Sequence, residues 1–240
     1  MTRFFVDSTN ISDGFVQLSN DDMEHIRVLR IRSSELFIVC DSAGNDYICK
    51  LTAQGSDIAD VVEIRPSVGE PSIACSIYIA LAKSDKMEFV VQKSVELGAV
   101  EIILFPSARS VAVPKDITKR TTRLERIALE AAKQSGRGIV PIVFPMESFQ
   151  SAMDRASKSE ISLFLYENEK KIHLKEALEL HSEASVYSIV SGPEGGFEPA
   201  EVEYANLLGL LSVSLGPRIL RCETAPIVAL SAVMYQSENL

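Results

Sequence analysis

Two short stretches near the carboxyl end constrain this chain more than anything else in it. Ser191-Gly192-Pro193-Glu194-Gly195-Gly196-Phe197 and Leu215-Gly216-Pro217-Arg218-Ile219-Leu220-Arg221-Cys222-Glu223-Thr224-Ala225 each follow a short apolar run and precede a helical pattern. Residues 186–190 read as a buried strand, and Pro199 sits where a first helical turn tolerates proline. Residues 210–215 read as another strand, after which Thr224 and Pro226 open the last helix. Three glycines in the five residues 192–196 bare the backbone, so main-chain N–H and C=O groups can grip a flat ligand. The two turns together predict one site built from two strand-ends.

A chain of 240 residues with 46% apolar content suits one large or two small domains with a sizeable core. The net charge of -9 argues against an anionic partner until its distribution is considered. Residues 83–137 hold eleven Lys or Arg against seven acids, a local +4 that leaves -13 for the rest. Such asymmetry is compatible with a basic face for nucleic acid, or with a solvated helix surface. Cys40, Cys49, Cys75 and Cys222 are scattered without a C-x-x-C pair or histidines at ligand spacing, which predicts a reducing compartment and no structural metal. Phe4-Phe5-Val6 is too short for a signal-peptide core and the uncharged run 225–237 too short to cross a bilayer, so a cytoplasmic location without membrane contact is expected.

Up to about residue 64 the chain shows short strand-like runs broken by turns, with residues 41–46 placed as a hairpin loop. Between them, residues 20–30 carry a helical pattern with Asn20 as its cap. This predicts a small β-barrel with one helical insertion. His25, Arg27, Arg30 and Arg32 lie close together there, either as phosphate-binding cations or as the barrel's wet edge. The prolines and glycine of residues 65–71 mark a linker, dividing the chain into domains 1–68 and 72–240. Beyond it strands alternate with helices, the pattern of an α/β domain with a mostly parallel sheet. Strands are expected at 73–82, 100–105, 140–144 and 161–166, and helices at 85–97, 118–134 and 225–236. Lys83, Lys86 and Lys93 then face solvent or RNA.

Neither G-x-x-x-x-G-K-[ST] nor G-x-G-x-x-G is present, so the common nucleotide-phosphate fingerprints are absent. His173 and His181 sit in a polar helical stretch and read as surface residues. Cys222 is weighed as a nucleophile with a thiol pKa lowered by Arg218 and Arg221, against a small residue packed at a helix start. Glu194, Glu223, Arg218 and Arg221 cluster at the glycine turns and are the candidate chemistry of the site.

Gly-Pro-Glu-Gly-Gly-Phe at 192–197, the Leu-Gly-Pro-Arg-Ile-Leu-Arg-Cys-Glu-Thr-Ala run at 215–225, Gln-Lys-Ser-Val-Glu-Leu-Gly at 92–98 and Gln-Ser-Gly-Arg at 134–137 resemble the RsmE-type 16S rRNA uridine-N3 methyltransferases. Arg3-Phe4-Phe5-Val6 and His25-Ile26-Arg27-Val28-Leu29-Arg30 extend the resemblance over almost the whole chain. It implies an N-terminal PUA-like barrel for RNA and a C-terminal SPOUT domain whose last segment threads a trefoil knot, one of the rare exceptions to unknotted topology. It further implies S-adenosylmethionine held by Leu165, Gly192, Glu194, Gly195, Gly196, Leu215, Gly216, Arg218, Ile219 and Leu220, with no metal, in a homodimer. Arg3, His25, Arg27, Arg30, Lys83, Lys93, Arg109 and Arg137 are the residues it points toward 16S rRNA of the small ribosomal subunit. Glu194 or Glu223 would take the imide proton of uracil N3, and Arg218 or Arg221 would stabilise the resulting anion.

Four positions depart from the family pattern: Ala108 where glutamate is usual, Leu104 for proline, Ser84 for glycine and Cys222 for threonine. Ala108 removes one expected partner of Arg109. The competing expectations are a methylase of other regiochemistry, such as ribose 2'-O, and an RNA-binding assembly factor that keeps the fold without turnover.

Overall fold

A computed structural model describes residues 1–110 and 116–240; Lys115 of the basic stretch lies outside the described residues. The chain falls into two compact units, Met1–Glu70 with Ala132–Val140, and Pro71–Ala131 with Pro141–Leu240.

The first unit is a six-stranded sheet of β1 (Arg3–Phe5), β2 (Ile11–Ser12), β3 (Phe15–Gln17), β4 (Phe37–Cys40), β5 (Asn45–Leu51) and β6 (Ile58–Pro66), with α1 (Asn20–Leu29) inserted after β3. Spatial order is β1-β4-β5-β6-β3-β2, with β1 parallel to β4 and the other pairs antiparallel. The β4–β5 hairpin turns on Asp41, whose Oδ1 accepts from the Ala43 and Asn45 N–H groups at 2.8 and 3.2 Å. Ser19, not Asn20, caps α1, in a reciprocal box with Asp22. Met23 and Ile26 then seat the helix on a core with Phe4, Val39 and Leu51. Phe4 meets Phe37 edge to face at 5.5 Å.

The segment 132–140 joins this unit although the linker signal placed it in the other domain. Its hold is Glu70, which accepts from the Gly138 and Ile139 N–H groups at 2.9 and 3.1 Å and pairs with the Arg137 guanidinium. Arg137 is 1% exposed, so the ion pair is an interior one.

The second unit alternates β7 (Ala74–Ala80), α2 (Ser84–Glu96), β8 (Glu101–Phe105), α3 (Ile117–Ser135, whose last four residues belong to the first unit), β9 (Ile142–Pro145), α4 (Phe149–Ala156), β10 (Ile161–Leu165), α5 (Leu174–Leu180), β11 (Val186–Ser191), α6 (Pro199–Leu207), β12 (Leu211–Val213) and α7 (Ala225–Gln236). All six strands run parallel in the order β12-β10-β11-β7-β8-β9. Parallel strands are covered on both faces, which is why they read as unbroken apolar runs. Ile77, Ile102, Ile103, Leu163, Phe164 and Ile189 are all fully buried. The last helix contributes Ala229, Leu230, Val233 and Met234 to the interior.

Candidate active site

Three adjacent parallel strands, β12, β10 and β11, end on the same edge of the second sheet. In parallel α/β sheets the crevice beyond the carboxyl ends of strands is where ligands sit. A cavity of about 460 Å³ opens there, lined by the turn after β10 (Leu165, Tyr166, Glu167), the glycine turn after β11 and the segment after β12. That volume is in the range of pockets that enclose a small organic ligand. The sequence points to two strand-ends; the third, β10, lies between them and supplies the middle of the floor.

The glycine turn is anchored by Phe197, 3% exposed, whose ring packs 4.3 Å from Phe164 and 6.0 Å from Phe149. Gly196 has φ +69°, and a β-carbon on it would run into the Glu167 carboxylate. Gly216 has φ +104° with nothing within 4 Å of where a β-carbon would stand, so bare backbone faces open space there. The turn is tied to the segment before α7 by Ser191 Oγ, which donates to the Cys222 carbonyl at 3.4 Å.

All ten residues expected to hold a cofactor line this cavity: Leu165, Gly192, Glu194, Gly195, Gly196, Leu215, Gly216, Arg218, Ile219 and Leu220. Arg221 lines it too, whereas Glu223 does not. Arg218 and Arg221 are exposed at its lip. Lys86, in the first turn of α2, is the residue sequence reasoning missed. Its Nζ lies 3.1 Å from Glu223 Oε2, 3.7 Å from Glu194 Oε1 and 3.6 Å from Cys222 Sγ. Local pattern puts it on the polar side of an amphipathic helix. The clue that could have found it is topological, since a helix following a parallel strand begins at the same sheet edge where the glycine turns lie.

These contacts set the protonation states. The Glu223 hydrogen bond holds the Lys86 ammonium above its ordinary pKa. Burial pushes the Glu223 carboxyl up, but its own backbone N–H, Lys86 and Cys222 hold it below the usual value overall. Burial, then the Glu223 hydrogen bond, pushes the Cys222 thiol up to about 11. The weighed alternative of an arginine-activated thiolate is therefore corrected: Cys222 stays a neutral thiol at pH 7.

The residues expected to meet RNA divide. Arg27 and Arg30 are exposed at the end of α1, where Arg30 takes the left-handed cap conformation at φ +57°, and His25 is half-buried edge-on to Phe4 at 5.7 Å. Lys83 and Arg109 are exposed in the second unit, and Lys93 is paired with Glu96 at 2.8 Å. Arg3 and Arg137 are corrected. Arg3 is 7% exposed and gives both Nη groups to Asp46 at 2.7 and 2.8 Å, and Arg137 is consumed by Glu70, so neither guanidinium faces a surface. The loss of a glutamate at Ala108 is met locally: Arg109 donates to the Gly195 carbonyl at 3.1 Å and pairs with Glu198 at 3.7 Å. A β-carbon on Gly195 would meet Arg109 Cβ at 3.1 Å. Among the described residues there is no cluster of three metal-ligating side chains and no helix long and apolar enough to cross a membrane.

Residues 69–234 match the model of an RNA methyltransferase domain. The chain is 35% identical over 252 aligned positions to the ribosomal RNA small subunit methyltransferase E of Bacillus subtilis, covering 100% of this chain and 98% of that one. Its fold superposes with a TM-score of 0.88 on the ribosomal RNA small subunit methyltransferase E from Neisseria gonorrhoeae bound to S-adenosyl methionine, at 30% identity over 98% and 97% of the two chains. A methyltransferase of Legionella pneumophila in complex with the same cofactor gives 0.85 at 25% identity, covering 98% and 97%. By sequence and by fold, the chain belongs to the ribosomal RNA small subunit methyltransferase E family.

Proposed function

We propose that this protein uses S-adenosylmethionine to methylate N3 of a uridine in the 16S rRNA of the small ribosomal subunit. The observation that carries the reading is the cavity at three strand-ends, lined by residues of both glycine turns. The residues present suit the cofactor. Bare backbone at Gly216 faces open space, and the volume suits a nucleoside-sized molecule. When bound, S-adenosylmethionine supplies an electrophilic methyl group on a sulfonium.

The chain's own task is to make uracil N3 nucleophilic, which requires losing its imide proton. Arg218 and Arg221 at the cavity lip are placed to hold negative charge on O2 or O4, a form of electrostatic stabilisation that strengthens as water is excluded. Of the two carboxylates expected near the proton, only Glu194 is on the cavity wall.

The wider assignment follows the family. The first unit serves as a PUA-like RNA-binding barrel, with His25, Arg27 and Arg30 toward RNA, and the segment between β12 and α7 threads the trefoil knot of a SPOUT domain. Lys83, Lys93 and Arg109 extend the RNA surface on the second unit. The protein works in the cytoplasm as a homodimer, and the exposure of Val228 (40%) and Tyr235 (76%) on the apolar α7 supports the homodimer.

The test is to incubate purified small subunits, and free 16S rRNA separately, with the protein and methyl-labelled S-adenosylmethionine, then digest to nucleosides for mass spectrometry. Labelled 3-methyluridine is the expected product. Label on a ribose, or RNA binding without incorporation, would replace this reading with one of its two rivals.

A further inference from the structure

Helix α2 begins without a cap of its own. Its N-cap residue, Lys83, makes no side-chain hydrogen bond to the first turn. A helix start leaves backbone N–H groups unpaired and carries partial positive charge, so a carboxylate placed there is stabilising. The carboxylate comes from far along the chain: Glu194 Oε1 accepts from the Lys83 N–H at 3.3 Å. The same oxygen lies 3.7 Å from the Lys86 ammonium one turn on, and Lys86 is bonded at 3.1 Å to Glu223, just before α7. The side chains of Glu194 and Glu223 are 22% and 19% exposed.

We infer that Glu194 is a positioning residue, not the base: with Lys86 it clamps the glycine turn to the start of α2 and so fixes one wall of the cavity. Three features argue for it. Its Oε1 is already engaged by the Lys83 N–H and the Lys86 ammonium, so that oxygen is turned toward the start of α2. Lys86 joins carboxylates from both glycine-turn segments, so removing it leaves two like charges facing each other. Glu223, the other candidate base, is off the cavity wall. The imide proton of the substrate then passes to solvent water while the cations stabilise the anion left behind, and the carboxylates hold the site in shape.

The inference rests on the methyl-transfer reading for its consequence but not for its test, because the clamp exists without ligand. Hydrogen exchange at the Lys83 amide is measured on the free protein for wild type, Glu194→Gln and Glu194→Ala. Glutamine keeps the acceptor, so exchange stays near wild type, whereas alanine speeds it about tenfold, the loss of one such bond. Unchanged exchange in Glu194→Ala overturns the clamp. Calorimetry with S-adenosylmethionine and turnover assays follow on the same proteins. A positioning role predicts that turnover follows the clamp: Glu194→Ala, which loses the acceptor, weakens cofactor binding about tenfold and loses more kcat than Glu194→Gln. A fall in kcat of about a hundredfold or more in Glu194→Gln, with cofactor affinity intact, is the signature of a lost base and overturns the assignment. Wild-type protein that fails to bind the cofactor counts against the methyl-transfer reading, while the exchange data still decide the clamp.

Discussion

Arg3 and Asp46 show how much of a residue's role is decided by what it meets. Arg3 precedes an aromatic pair near the amino terminus and carries the charge an RNA-binding surface wants, yet its guanidinium is held by a carboxylate 0% exposed and by the Cys40 thiol at 3.1 Å. Removing one partner of a buried pair leaves an uncompensated charge, so Arg3→Ala should lower the stability of the first unit by about 3 kcal/mol in urea unfolding. A loss under 1 kcal/mol would mean that the pair is effectively solvated. The pH dependence has a definite sign. Burial raises the Asp46 pKa, but the Arg3 and Ser67 hydrogen bonds bring it below its ordinary 3.8 overall. A depressed folded value stabilises above the unfolded pKa, so this contribution is complete at neutral pH and is lost as pH falls through the folded value, below 3.8. Cys222 gives a second expectation at this scale. With its thiol at about 11, alkylation by iodoacetamide at pH 7.5 should be slow and Cys222→Ser should retain turnover. Rapid labelling at that pH would contradict the environment described.

At the scale of elements, the second unit was the more legible. Its strands are apolar runs and its main helices stop clearly, as at α2, where Gly98 follows the last turn with φ +96°. Helix α4 was overlooked although Phe149, Ala152, Met153 and Ala156 form a buried stripe at helical spacing, because eight residues among serines give little periodic signal. In sequence the first unit reads as strands around a helix, but its sheet order needs pairings that cross the chain, such as β1 with β4. The capture of residues 132–140 by Glu70 was not legible at all, since the partners are 67 to 69 positions apart. The same distance effect hid Lys86 from any reading of the site. Glu70→Ala tests the captured segment. It removes the acceptor of two backbone N–H groups and of a guanidinium, so stability should fall by about 3 kcal/mol, and exchange protection of the Gly138 and Ile139 amides should drop with it. Glu70→Gln should recover part of the loss by keeping an acceptor for the N–H groups. Equal loss in the two variants would put the whole effect in the charge.

For the molecule as a whole, the problem is how a chain of net charge -9 holds a polyanion. Long-range attraction cannot supply the affinity, since the summed field repels RNA, so binding has to be carried by local cations within about a Debye length, roughly 8 Å at physiological salt. Arg27 and Arg30, exposed together at the end of α1, meet that requirement, and buried Arg3 does not. Counterion release turns the distinction into a measurement. Each phosphate contact on single-stranded RNA contributes about 0.7 to the slope of log K against log salt. The Arg27→Ala, Arg30→Ala double variant should therefore flatten that slope by about 1.4 in anisotropy titrations with a 16S rRNA fragment, while its cofactor affinity in calorimetry is unchanged. Arg3→Ala, compared where it is still folded, should leave the slope as it is and show its effect only in stability. If instead Arg3→Ala flattens the slope and the double variant does not, the phosphates lie against a different face of the first unit, and the cations at the end of α1 belong to its solvated edge.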